Sequence, residues 1–115
     1  MAELRPRTKR FAVAIFRFCD ALPDKPSVQV IRRQLMRSAS SIGANYRAAC
    51  HARSRAEFLS KMSVAEEEAD ETEYWLELLD DLDHVPEAPL RTLQDEANEI
   101  TSMIIASIKT ARQEQ

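Results

Sequence analysis

The chain has 115 residues, 44% hydrophobic and 30% charged, which excludes a disordered chain and bounds it to one domain with a modest core. It holds one glycine, where average usage of about 7% would give about 8, so an all-β fold with its turn glycines is excluded. The formal net charge of −3 conceals a split: residues 1–60 carry 12 Lys/Arg and 4 Asp/Glu, giving +8, and residues 61–115 carry 4 and 15, giving −11.

From about Thr8 to Ala21, Phe11, Ile15, Phe18 and Leu22 recur at spacings of four, three and four, the stripe of an amphipathic helix. Arg5, Arg7, Lys9 and Arg10 read as a basic arm at its start. Leu22-Pro23-Asp24-Lys25-Pro26 is a tight connector, because two prolines so close cannot sit inside a helix, and Ser27 is the expected N-cap of the next one.

The second helix is expected over about Val28–Cys50, with Val28, Ile31, Leu35, Ile42, Tyr46 and Ala49 on one side. Its middle is small and polar and contains the only glycine, Gly43. Glycine costs about 1 kcal/mol there relative to alanine, a cost that goes with close approach of another backbone. Asn45 lies at the edge of this seam, and Glu68 and Thr72 on the third helix are candidate hydrogen-bond partners for it.

Ser54 with Glu57 three residues later is a capping box, which starts a third helix over about 55–82. Phe58, Met62, Ala65, Ala69, Thr72, Leu76 and Leu79 form its unbroken four-three seam. After His84-Val85-Pro86 the pattern repeats over about 87–112, with Leu90, Leu93, Ala97, Ile100, Ile104 and Ile108. Four amphipathic helices with short connectors predict an all-α fold, an antiparallel up-down-up-down four-helix bundle spanning the whole chain.

Chemistry finds little purchase on this pattern. A di-iron carboxylate site needs Glu-x-x-His on two helices, and the two histidines, His51 and His84, follow Ala48 and Asp81 at that spacing. Cys50 and His51 are adjacent, so on a helix they diverge instead of pairing. One glycine cannot build a phosphate loop. The sequence therefore predicts no enzyme, no metal and no cofactor. Cys19 and Cys50 have no metal-type spacing and read as reduced thiols. No apolar run approaches a membrane span, and the charged start followed by Phe11–Phe16 is too short for a signal-peptide core, so a cytoplasmic location is expected.

Two surfaces stand out. With Arg33 at 0° on a helical wheel, Arg37 falls at roughly +40°, Arg47 at −40° and His51 near 0°, opposite the apolar seam. Together with Arg53 and Arg55, and flanked by Arg32, they form a candidate nucleic-acid-binding stripe for RNA or DNA. A solvated helix face, or contact with a neighbouring subunit's acidic third helix, competes for the same arginines. On the third helix Tyr74, Trp75, Leu78 and Leu82 lie off the seam within about 100°, a candidate oligomer interface.

The stretch Gln34-Leu35-Met36-Arg37-Ser38-Ala39-Ser40-Ser41-Ile42-Gly43-Ala44-Asn45, followed by Ser54-Arg55-Ala56-Glu57-Phe58, resembles a family of four-helix bundle proteins encoded in intervening sequences of 23S ribosomal RNA genes. That family's pattern is roughly Leu-x-Arg-Ser-x-x-Ser-Ile-x-x-Asn, then Ser-x-x-Glu-Phe, and Glu73, Leu76 and Leu79 fit its third helix. The resemblance covers about residues 28–82, and marks Ser41, Gly43 and Asn45 as a structural motif. It implies an antiparallel bundle and a homo-oligomer, with a pentamer as the form. One relative, a retroelement accessory protein, is basic and works with nucleic acid. This chain departs from the pattern in being acidic overall, and in Tyr46-Arg47-Ala48-Ala49-Cys50, which replaces an acidic-glycine step after the Asn.

Overall fold

Apolar stripes on four long helices are buried together only when the helices stand side by side, and that is what the computed structural model, which describes residues 3–114, contains. The helices are α1 (Leu4–Asp20), α2 (Pro26–Cys50), α3 (Arg55–Leu82) and α4 (Glu87–Gln113). Each touches its two neighbours in the ring α1–α2–α3–α4, forming a rod of 49 × 20 × 20 Å. Thr8 meets Gly43 and Cys19 meets Arg32, while Ser38 meets Thr72 and Ser41 meets Glu68, so successive helices run antiparallel. The α2–α3 interface is the longest and the α1–α4 interface the shortest.

The expected seams are the core. All the seam residues named for the second and fourth helices are buried, as are Met62, Ala65, Ala69, Thr72, Leu76 and Leu79 of α3. Phe58 is half-buried at the open end of the α3 seam. Ser38 and Thr72 are buried polar residues facing each other, and the Thr72 hydroxyl donates to that of Ser38 at 2.9 Å. That pairing satisfies groups whose desolvation would otherwise be costly.

The first helix departs most from expectation. It begins at Leu4 instead of about Thr8, so Arg5, Arg7, Lys9 and Arg10 are helical and form no arm. The reason is a stripe the charges disguise: Leu4, Thr8, Phe11, Ile15 and Cys19 are all buried at four-three-four-four spacing. Pro6 fits because it falls in the first turn, where an amide has no intrahelical acceptor to bond. Phe18, expected in the seam, is only half-buried, and Cys19 takes the buried position.

Helix boundaries follow local chemistry. Pro26 is the first residue of α2 and Lys25 its N-cap, so Ser27 does not cap as expected. Proline at that position lacks only a donor that would have been orphaned anyway. Ser54 caps α3, its hydroxyl accepting from the Glu57 N–H at 3.1 Å. At the other end Asp83 closes α3 with φ 54°, a left-handed conformation that aspartate tolerates better than most residues.

Gly43 marks a close approach of α2 to α1. A Cβ built there would lie 3.1 Å from Thr8 Oγ1 and 3.4 Å from Thr8 Cβ, and Thr8 is only 1% exposed. Alanine gains about 1 kcal/mol of helix propensity and loses a similar amount to overpacking. Gly43→Ala is therefore expected to unfold in urea within about 1 kcal/mol of the parent protein, whereas in a Thr8→Ala background it stabilises by about 1 kcal/mol. Equal stabilisation in both backgrounds would show that the contact imposes nothing.

Candidate nucleic-acid interface

The arginine stripe of α2 does not act as one surface, because the helices beside it claim its members according to angle. Arg37, tilted toward α3, donates to Glu68 at 3.3 Å and to Glu71. Arg32, on the α1 side, is turned inward. Its Nε donates to the Cys19 carbonyl at 3.0 Å, and its Nη2 donates to the Leu22 and Pro23 carbonyls at 2.9 and 3.2 Å. It thus adds a side-chain donor to carbonyls at the end of α1, where the intrahelical ladder runs out. Arg7 is likewise withdrawn from the expected basic arm, bonded to Glu96 and Glu99 of α4.

What remains is narrower and better defined. Arg5 and Lys9 of α1 and Arg47 of α2 line a groove of about 570 Å3 between the two helices. Thr8, Ala12, Ser40, Gly43 and Ala44 complete the walls and floor, and no carboxylate is among the lining residues. None of the three cations forms an ion pair among the described residues. Small side chains (Ala12, Ser40 and Ala44) separate the cations along the furrow. Arg5 and Lys9, not singled out by the wheel, belong to this site because the α1–α2 register brings them opposite Arg47. A single helix cannot reveal that.

The other predicted site residues are dispersed. His51 is the exposed C-cap of α2, Arg53 is exposed in the link, and Arg55 opens α3. Arg55 edges a second groove, of about 600 Å3, whose walls include Leu4, Phe58, Met103 and Ala106. Arg33 is exposed but lies 14 residues, about 21 Å, along α2 from Arg47.

Ser41 and Asn45 are hydrogen-bonded to each other. Asn45 Nδ2 donates to the Ser41 carbonyl at 2.9 Å and to its hydroxyl at 3.0 Å, not to Glu68 or Thr72 as expected. The Ser41 hydroxyl donates in turn to Glu68 at 3.2 Å, so the carboxylate is reached through serine. The chain Asn45–Ser41–Glu68 thus links two turns of α2 to α3.

The apolar patch of α3 is smaller on the folded chain than the wheel implies. Trp75, Leu78 and Leu82 are half-buried against the core, while Tyr74 is 53% exposed. The Trp75 indole N–H is buried without a hydrogen-bond acceptor among the described residues. Tyr74 and Trp75 rings meet edge-on, with centroids 5.2 Å apart.

The two cysteines are kept apart. Burial pushes the Cys19 thiol up to about 11, and burial together with a bond to Cys50 raises the Tyr46 phenol to about 12. Cys19 sits beside Arg32, 18 residues or about 27 Å along α2 from Cys50, so the two free thiols cannot pair. Among the described residues no three His, Cys, Asp or Glu side chains come together to hold a metal ion, and no helix is long and apolar enough to cross a membrane.

The architecture is an up-and-down bundle with a cationic furrow between α1 and α2. The chain belongs to the 23S rRNA-intervening sequence protein family, whose model matches residues 3–106. The match takes in α1 and most of α4, beyond the span that carries the motif. A crystal structure of a protein of unknown function from the S23 ribosomal protein family of Bacteroides thetaiotaomicron is similar throughout. It is 36% identical, with a TM-score of 0.87, and the alignment covers 94% of this chain and 96% of that one. No curated protein matches the chain.

Proposed function

We propose that the chain is a non-enzymatic accessory protein of the cytoplasm that binds RNA through the α1–α2 groove. The observation that carries this reading is the cluster of Arg5, Lys9 and Arg47 around a furrow with no acid in its lining. Clustered unpaired cations are the electrostatic footprint of phosphate binding. The name of the family, 23S rRNA-intervening sequence protein, is the reason for choosing RNA as the polyanion. Net charge does not oppose it, because the acids sit mainly on α3 and α4 while α2 has four arginines and no acid.

Binding of a structured, labelled RNA tests the proposal at low and moderate salt. Affinity should fall steeply with salt, and Lys9→Glu with Arg47→Glu should abolish most of it and flatten the salt slope by roughly 1.5–2. Arg37→Ala should leave binding unchanged, since Arg37 is already committed to Glu68 and Glu71. No binding by the parent protein at low salt overturns the reading.

A second reading is self-association, as the pentameric ring that the family resemblance implies. Val30 and Tyr74, 55% and 53% exposed, support it. The register set by Ser38–Thr72 and Arg37–Glu71 brings Val30 level with Leu78, so these residues can share one apolar edge of α2 and α3. Light scattering that returns a 13.1 kDa species overturns it. If the groove serves subunit contacts instead of RNA, the charge-reversed protein loses mass, and the parent protein shows no RNA binding to lose.

A further inference from the structure

We propose that the groove takes an unpaired RNA strand, with phosphates on Arg5, Lys9 and Arg47 and a base stacked on the ring of Phe16. The inference rests on the reading of the groove as an RNA site and specifies the form of RNA. On α1, positions 5, 9, 12 and 16 fall within about 60° of one another at 100° per residue. Arg5, Lys9 and Ala12 line the groove, so Phe16 stands on the same edge one turn farther along. Phe16 is 38% exposed, whereas Phe11, four residues past Arg7 on the opposite edge, is buried in the core.

An isolated exposed phenylalanine calls for no explanation; one in line with a row of unpaired cations does. From Arg5 to Phe16 is about 16 Å along the axis, room for a few nucleotides. Across the furrow, the Thr8–Gly43 and Cys19–Arg32 contacts put Phe16 level with residue 35, and exposed Arg33 lies within a turn of that level. A strand leaving the three-cation cluster therefore meets an aromatic face and then another unpaired guanidinium. Bases in a duplex are stacked on one another and offer no free face, whereas splayed bases of a single strand stack on aromatic side chains.

Fluorescence anisotropy with a short unstructured fluorescein-labelled RNA, alone and annealed to its complement, distinguishes the possibilities with the full chain. The single strand should bind more tightly than the duplex. Phe16→Ala should weaken single-strand binding by about 5- to 150-fold, the value of one base–aromatic stack, and leave duplex binding within about twofold, with helicity unchanged by circular dichroism. Phe16→Tyr should retain binding, and Phe16→Trp should retain it with emission quenched by the RNA. Unchanged single-strand affinity in Phe16→Ala overturns the stacking proposal while the cationic groove stands. Unchanged affinity in the Lys9→Glu, Arg47→Glu protein overturns the groove reading, and this inference with it.

Discussion

Arg7→Met is expected to lower stability by about 2 kcal/mol and the thermal midpoint by about 8 °C. Arg7 joins α1 to α4, the pair of neighbours with the least contact. Its Nε and Nη2 donate to Glu96, both at 2.8 Å, its Nη2 also to Glu99 at 3.1 Å, and its Nη1 to Met103 Sδ at 3.3 Å. The Arg7 side chain is only 17% exposed. Charge-assisted bonds in such a setting contribute about 1.5–3 kcal/mol, reduced here because Glu96 and Glu99 are partly solvated. Methionine keeps the packing of the arginine stem, so the loss reports the polar contacts.

The same variant carries a pH signature. Arg7 holds the Glu96 carboxyl below its ordinary value, first through the hydrogen bonds and further through its charge. A carboxyl depressed in the folded state contributes stability that is complete above its unfolded pKa and is lost as pH falls through its folded pKa. The difference between parent and Arg7→Met should therefore stay constant from neutrality to about pH 5, then shrink below about pH 4. Urea titrations at stepped pH measure it. A difference that persists undiminished in acid would mean that the ionised Glu96 carboxylate contributes nothing to it.

Arg32→Ala is expected to cost about 2 kcal/mol, for a different reason. It removes one guanidinium from three carbonyls at the end of α1, those of Cys19, Leu22 and Pro23. Arg32→Lys should recover less than half, because an ammonium cannot present the forked geometry that spans them. Thiol labelling gives a local readout. In the parent protein exposed Cys50 reacts promptly, while Cys19 is buried, its thiol raised to about 11, and reacts slowly. Arg32→Ala should speed Cys19 labelling selectively. Equal labelling rates at Cys19 in both proteins would dissociate Arg32 from the end of α1.

The fates of these two arginines show where the sequence stops being legible. The seams of α2, α3 and α4 were readable because burial repeats with the period of the helix, which one helix displays by itself. Gly43 was readable for the same reason: its cost is local, so its presence implied a close neighbour. Which arginine meets which carboxylate depends on the register between helices, and no intrahelical spacing encodes that. Arg7 thus read as part of a basic arm, and Arg32 and Arg37 as part of a basic stripe, although α4, the end of α1 and α3 respectively bind them. The start of α1 was obscured when its charged residues masked Leu4 and Thr8. The groove of Arg5, Lys9 and Arg47 is assembled from two helices, so its cations read as a separate arm and stripe and not as one site.

α1 is held to the bundle unevenly: Arg7 ties it to α4, Arg32 fastens its end to α2, and Thr8 rests in the notch of Gly43. The cationic furrow lies along that same α1–α2 boundary, with two of its charges on the loosely held helix. Between Arg5, Lys9 and Arg47 there is mutual repulsion that tends to part the two helices, and an anion seated among them reverses its sign. Occupancy and α1 docking are therefore thermodynamically linked, so a filled furrow acts as a strut between α1 and α2.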